Sequence, residues 1–500
     1  MATDNLTVNL SEGAQPSPRP RDSGPSVLNL IRFVVPTIIV LGAFALLTNH
    51  AKDPLSNTDT YFHLRFGHEF LTGSWSLTDP GSVTTFGTAD WVPTQWLPQV
   101  VMAQFEEWFG LAGVAWLSGL LYLALAVTLW AIARRYASPI AAAPVVAVAI
   151  LAASPGMSMR PQVLSYLLVA VTTAAWLETR RDGKVRWWLV PLTWVWAMLH
   201  GMWPLGIVIG VVALVGLALD RAVTRRQWLK LAAVPVLSAI AAALTPVGPR
   251  LYSAVFEVSS RSQYFAEWQP PRFTNGNAIA LLVLFAIVLV RLARKPSVMP
   301  WTETLILLLA GSWAVYSNRT VFVAAVMIVP FAAAAIQGLL GERSPVSRLE
   351  RASVLGGAAV CLAVLAVLVP RTADEPPGPS TYPDWLSALD ELPAGTVVLN
   401  DWGEGGYLMW RYPELDFVMN GYGDIFNDNE IARNYQMDAT NPGWLDSVKA
   451  TGATYALLRP GAKLTYGLDR LEGWAVAERS ETLVLLEAPP GWPDGDDSDE

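Results

Sequence analysis

The chain is poor in cysteine, lysine, histidine and charge. Its one cysteine, Cys361, falls inside an apolar run, which excludes an intrachain disulfide and a thiolate metal cluster. Lysine occurs six times among 34 basic residues, and histidine four times in all. An Arg excess of this kind, with abundant Ala and Val, is the composition of a GC-rich bacterial genome. Charged residues make up 15% of the chain, against about 25% in soluble domains. The net charge of -8 and pI near 5.2 leave no basic face for nucleic acid. No internal repeat is present. What is abundant is apolar: 53% of residues, with a mean hydropathy of +0.35. The apolar residues are grouped in runs near the ~20 residues that cross a bilayer. The class expected is an α-helical polytopic membrane protein.

Residues 1–27 are polar and rich in Pro, Ser, Gly and Arg, and read as a disordered cytoplasmic tail. Arg19, Arg21 and Arg32 precede the first apolar run, Phe33–Leu47. No small-residue cleavage site follows it, so it is read as an anchor retained as the first helix rather than a signal peptide. Further spans are expected near 111–133, 139–153, 163–177, 188–201, 203–220, 231–246, 277–293, 302–316, 320–338 and 353–370, about eleven in a membrane domain of 28–370. The run 188–220 is too long for one span, and its break at Leu199–Pro204 divides it into two short ones meeting at His200-Gly201. With the N-terminus inside, the inner turns hold sixteen Lys and Arg and the outer segments up to Arg319 hold seven. That bias predicts a bacterial inner-membrane protein with a cytoplasmic N-terminus. The first loop, 49–110, and everything after the last span then face outward.

Beyond Pro370 the composition turns acidic and rich in Gly, Pro, Trp and Tyr. Strands are expected at Gly395–Asp401, Leu415–Gly421, Ala453–Leu458 and Thr482–Ala488, and helices at Pro383–Leu392 and Asn429–Tyr435. Residues 371–490 therefore form a small extracytoplasmic α/β domain, and 491–500 an acidic tail.

The first loop carries the densest chemistry. Asp59 and His63 are four residues apart, on one face of a helix. That helix is expected to lie on the membrane with Tyr61, Phe62, Leu64, Phe66 and Phe70 on its apolar side. Asp59 either N-caps the helix or is a reactive carboxylate. Asp59 and His63 could share a divalent ion. Asp79-Pro80 reads as a turn, and Trp75, Trp91 and Trp96 read as interfacial anchors or sugar platforms. Met159-Arg160-Pro161-Gln162, His200, Glu267-Trp268-Gln269-Pro270 and Arg319 fall on the same outer face. Outward Arg runs against the charge bias, and a phosphate, from a headgroup or a specific ligand, is the natural partner of a guanidinium.

These residues fall into a pattern: DTYFHLRFG, then TDPGS, WVPTQWL, RPQVLSY at the start of a span, LHG at a helix break, EWQPP before a later span and an outer Arg. It resembles bacterial members of the GT-C glycosyltransferase superfamily, the group similar to lipopolysaccharide-core sugar transferases and protein mannosyltransferases. NDWGEGGYLMWRYP and NGYGDIF resemble its extracytoplasmic tail, and the likeness covers roughly 30–440. It implies transfer of a hexosyl or pentosyl unit from a polyprenyl-phosphate-sugar donor, among membrane lipids, to a glycan, lipid or protein acceptor. It implies Asp59 as general base or metal ligand. Arg160 and Arg319 are then candidates for the donor phosphate. His63, Asp79, Gln95, Trp96, Gln162, His200, Glu267 and Trp268 are candidates for the pocket. No cofactor is required, and a divalent metal is compatible. The chain departs from the pattern at Asn57, where relatives carry a second Asp, and at Thr94-Gln95, where they carry His-Glu. Two other classes fit the composition: a non-catalytic partner in envelope-glycan assembly, which the departures favour, and a lipid-linked sugar transporter.

Overall fold

A computed structural model of the chain describes residues 27–51, 57–87, 91–261, 264, 266–294, 299–371 and 382–493. The expected N-terminal tail and the acidic end fall outside these residues. Among these residues fourteen α-helices precede the C-terminal domain: α1 (Val27–Ala51), α2 (Asp59–Thr72), α3 (Trp96–Ala133), α4 (Pro139–Ala153), α5 (Gln162–Asp182), α6 (Leu189–Leu199), α7 (Pro204–Leu219), α8 (Arg225–Ala243), α9 (Leu251–Arg261), α10 (Gly276–Arg294), α11 (Trp301–Tyr316), α12 (Asn318–Met327), α13 (Val329–Leu340) and α14 (Arg348–Leu368).

Helices occupy all eleven segments expected to span, but they are not alike. Five are long and apolar enough to cross a bilayer alone, and two bent pairs bring the number to seven; α6 and α7 are apolar but shorter. At 1.5 Å per residue α6 is only about 16 Å long. The 38 residues of α3 exceed one bilayer, and Gly110 breaks them in a left-handed conformation (φ 63°). The part after Gly110 is the span expected at 111–133. Just before it Trp108 and Phe109 are exposed, as rings at a headgroup boundary are. The segment expected as one span at 320–338 is α12 and α13, bent by 47°. Most of α1 and α14 is exposed apolar surface (22% and 17% buried), whereas α3 and α4 are 56% buried. The latter form the interior of the bundle with α5, α12 and α13.

The C-terminal domain contains β1 (Val397–Asn400), α15 (Gly405–Arg411), β2 (Asp416–Phe417), α16 (Asp428–Ala439), α17 (Trp444–Lys449), β3 (Tyr455–Leu458), α18 (Lys463–Tyr466), β4 (Ala475–Arg479) and β5 (Val484–Glu487). The sheet order is β2-β1-β3-β5-β4; β1 is parallel to β2 and β3, and β5 is antiparallel to β3 and β4. The four expected strands are present. Strand β4 was not expected, because all five of its residues are exposed and show no apolar alternation. The expected helix at Pro383–Leu392 is a 3-10 helix, Asp384–Glu391, and that at Asn429–Tyr435 is the centre of α16.

The two domains are joined through α2. Its apolar side does not lie in lipid. Tyr61, Phe62, Leu64 and Phe66 are at most 3% exposed, with Tyr61 5.0 Å from the Tyr407 ring and Phe62 5.1 Å from Tyr422. Trp75 and Trp91 join the same aromatic core, and are neither interfacial anchors nor open platforms. The expected membrane-facing helix is thus a buried one: the C-terminal domain, over 300 residues later, covers the face that local periodicity leaves open. Backbone contact between them is close. A Cβ at Gly406 would come within 2.5 Å of the Thr58 carbonyl. The first loop also pairs with the sheet edge, where Thr85 and Phe86 amides donate to Phe417 and Val418 carbonyls at 2.9 and 3.2 Å, so the β2 edge is not left open.

Candidate active site

Asp59 is the first residue of α2. Asn57 forms the turn before it: its side-chain oxygen accepts from the Asp59 amide at 2.9 Å and its carbonyl from the Thr60 amide at 3.1 Å. No side-chain cap is present at the N-cap position, Thr58. Asp59 is therefore not the cap, and its carboxylate points elsewhere. Its Oδ2 accepts from Arg160 Nη1 at 2.8 Å, and the same Nη1 donates to Glu267 Oε1 at 2.9 Å. Glu267 Oε2 lies 3.6 Å from Arg319 Nε, Arg319 Nη2 donates to Gln162 Oε1 at 3.1 Å, and its guanidinium carbon lies 5.3 Å from the Trp268 ring. Four charges from four separate elements meet in one recess.

The turn before α5 holds Arg160 rigidly. Arg160 Nε donates to Ser158 Oγ at 2.8 Å. The Met157 carbonyl accepts from Tyr122 Oη (2.9 Å) and lies 2.6 Å from His50 Nε2, and the Met159 carbonyl accepts from Thr60 Oγ1 (3.2 Å). Gln162 donates to the Gly156 carbonyl at 3.1 Å while orienting Arg319. Glu267 is set from the other side, where the Gln269 carbonyl accepts from the Asn318 amide at 2.9 Å, beside Arg319.

The cluster is partly open to solvent. Asp59 keeps 28% and Glu267 44% of its side-chain surface, and Arg160 only 12%. The two carboxylates differ in proton affinity. Desolvation raises Asp59 above the usual aspartate range; Arg160 opposes this, Glu267 adds to it and Arg319 opposes it. Desolvation also raises Glu267, but Arg319 and Arg160 together outweigh it and hold Glu267 low. Opposite displacement of two carboxylates on one guanidinium is how an acid-base assignment is set.

The remaining candidates divide into neighbours and outliers. His63 is fully buried, not on a solvated face, and its Nδ1 lies 3.0 Å from Gln99 Nε2. Burial, then Arg160, His200 and Arg319, hold it well below its ordinary value, so it is neutral. His200 is at the helix break as expected. Its Nδ1 is 3.1 Å from Ser165 Oγ and accepts from the Met202 amide at 3.2 Å, which fixes the break. Gln95 donates to Tyr422 Oη at 3.2 Å. Trp96, half-buried, has an indole N–H without a hydrogen-bond partner among the described residues. Asp79 is exposed in a turn closed by Ser76 and has no bond to the recess among the described residues.

Among the described residues no three His, Cys, Asp or Glu side chains converge on a cation position. His63 Nδ1 faces Gln99 Nε2. The point between Asp59 and Glu267, where a dication would bridge, holds Arg160 Nη1. Among the described residues the carboxylates of this cluster are taken up by guanidinia.

Sequence reading missed Ser158, Gln99, Tyr422 and Gly421. Ser158 immediately precedes the Met159–Gln162 turn. Gly421 ends an expected strand and touches the site directly: a Cβ there would stand 3.1 Å from Asp59 Oδ1.

A polytopic helical domain against a small α/β domain is a GT-C-like fold, and solved structures of membrane proteins share it with this chain. The oligosaccharyltransferase AglB of Archaeoglobus fulgidus, solved with an inhibitory peptide and a dolichol-phosphate, matches over 87% of this chain and 70% of its own, with 13% identity and a TM-score of 0.53. ArnT of Cupriavidus metallidurans, in the apo state, matches over 91% of this chain and 99% of its own, with 14% identity and a TM-score of 0.52. At these identities the likeness is one of fold. No protein-family model and no curated protein matches the chain.

Proposed function

We propose that the protein is a glycosyltransferase of the bacterial inner membrane. It moves a hexosyl or pentosyl unit from a polyprenyl-phosphate donor to a cell-envelope glycan, lipid or protein on the outer face. The observation that carries this reading is Arg160 Nη1 set between Asp59 and Glu267, beside an Arg319 whose buried Nε has no hydrogen-bond partner among the described residues. A network built for stability alone satisfies its buried donors; a guanidinium paired to Glu267 and Gln162 but with one N–H left over fits an anionic ligand. The lipid-phosphate class is supported by the dolichol-phosphate bound to AglB, and the exposed apolar helices suit a polyprenyl tail.

In the reaction, the acceptor oxygen attacks the anomeric carbon as its proton passes to an Asp59 carboxylate oxygen. The bond from that carbon to the phosphate oxygen breaks, and its electron pair leaves with the polyprenyl phosphate. The anomeric configuration inverts. Raised proton affinity makes Asp59 a better base than an ordinary aspartate. Arg160 and Arg319 neutralise the departing phosphate, preorganised by Glu267 and Gln162. The guanidinia supply the positive charge, and no step requires a metal.

Asp59→Asn tests the reading. Asp59 does not cap α2, so the amide keeps the shape and can still accept from Arg160, while the base and its charge are removed. Transfer from a labelled lipid-phosphate sugar in reconstituted vesicles is expected to fall about 10²–10⁴-fold, with donor binding and the melting temperature retained. Near-normal turnover overturns Asp59 as the base.

A further inference from the structure

A cleft of about 390 Å³ opens on the C-terminal domain, lined by Thr440, Trp444, Gly461, Lys463, Tyr466 and Leu471. None of these residues belongs to the charged recess. The volume is within the ~300–1,000 Å³ typical of small-molecule sites. One wall is rigid. Trp444 opens α17 and its ring lies on Gly467, where a Cβ would meet it at 2.9 Å. Thr440 adopts φ 51°, a left-handed conformation rare for a β-branched residue. Its amide, bonded to the Gln436 and Met437 carbonyls, holds it there. Backbone strain of this kind persists where the surroundings enforce it, and it concentrates at binding sites. The rim is open: Tyr466 is 64% and Leu471 66% exposed. Lys463 is exposed and has no ion pair among the described residues.

Aromatic faces, a hydroxyl, an uncrowded glycine and an unpaired ammonium suit one kind of ligand. A pyranose presents C–H faces to aromatic rings, and a carboxylate or phosphate on it pairs with the ammonium. The cleft is also tied to the catalytic loop. Tyr435 of α16 donates to the Tyr264 carbonyl at 2.6 Å, three residues before Glu267. Thr440 is five residues beyond Tyr435, or about 7.5 Å along the helix axis.

We propose that this cleft is a subsite for an anionic saccharide of the acceptor, holding one part of a glycan while another reaches Asp59; the acceptor role rests on the transferase reading. The full chain in nanodiscs is titrated with hexagalacturonate and with maltohexaose. Wild type is expected to bind hexagalacturonate more tightly, with a preference that salt weakens. Tyr466→Ala is expected to weaken both by about tenfold. Lys463→Gln is expected to bring hexagalacturonate down to the maltohexaose level, with unchanged melting since both side chains are exposed. Asp59→Asn is expected to bind both as wild type does. Failure of wild type to bind either oligosaccharide, or unchanged binding by the Tyr466 and Lys463 variants, overturns the cleft. Saccharide binding by a wild type that transfers no sugar supports the cleft as a saccharide site and overturns the transferase reading instead.

Discussion

Arg160 serves two carboxylates through one nitrogen, and each responds to it differently. Asp59 acts as a base only when deprotonated, so turnover should rise with pH through its midpoint, which lies above the ordinary 3.8. Glu267 contributes to that rise through its charge. Glu267→Gln should therefore move the acid limb of kcat/KM to lower pH in whatever activity remains; an unmoved or upward-shifted limb contradicts the coupling. Arg319 can be tested without disturbing the two carboxylates' shared guanidinium. Arg319→Ala should weaken donor binding by about 1.5–3 kcal/mol, the worth of a charge-assisted hydrogen bond, in titrations with a polyprenyl-phosphate sugar. Gly421 offers a steric test. The Cβ of Gly421→Ala would press on Asp59 Oδ1, so turnover should fall more than the melting temperature; the reverse would show that the carboxylate gives way freely. Asp59, Arg160, Arg319, Gln162, Glu267 and Trp268 were legible as candidates because each lies at or between the ends of apolar runs on the expected outer face. Gly421 was not, since nothing local distinguishes a glycine that faces a carboxylate from one that ends a strand.

At the scale of elements, the segment before α10 is held at two ends, by α12 through the Asn318 amide and by α16 through Tyr435. The Tyr435 ring also lies 5.6 Å from Tyr264 and 5.8 Å from Trp402. Removing the hydroxyl alone, in Tyr435→Phe, costs roughly 0.5–1.5 kcal/mol of clamping. Turnover is expected to fall while donor affinity at Arg319 holds; equal loss of both would mean a general unfolding of the interface. One turn on, Asp438 is pushed up to about 6 by desolvation and then by Asp401, against the Asn434 hydrogen bond. The sign follows from linkage: a raised carboxyl favours the folded state when protonated, so its contribution is lost as pH rises from the unfolded value of 3.8 through about 6. Asp438→Asn should raise the melting temperature at pH 8 and leave it nearly unchanged near pH 3. The apolar stripe of α2 was legible, but not its covering; β4 was hidden by having every residue exposed.

At the scale of the whole molecule, the basic residues order the domain in the membrane. The sixteen-to-seven bias, with an odd number of expected spans, predicts Asp384 outside and Arg226 inside. Reporter fusions at the two positions check it, and a cytoplasmic signal at Asp384 or an outward one at Arg226 sinks the topology. The number of crossings is not read from length alone, because α6, α7 and α11 are too short to span about 30 Å as straight helices.

Composition and run length determine the class: a chain this apolar must place its long runs in lipid, and each run must be helical because lipid offers the backbone no partner. Turn residues determine the breaks at Gly110 and at Leu199–Pro204, since the energies that end a helix are local. Tertiary structure alone decides which carboxylate faces which guanidinium. Asp59, Arg160, Glu267 and Arg319 are spread over about half of the chain, and their meeting depends on helix packing that no local pattern encodes. It also decides the environment of α2. An amphipathic helix buries its apolar face against whatever is nearest, lipid or protein, and here the nearest apolar surface is the aromatic face of Tyr407, Trp410 and Tyr422.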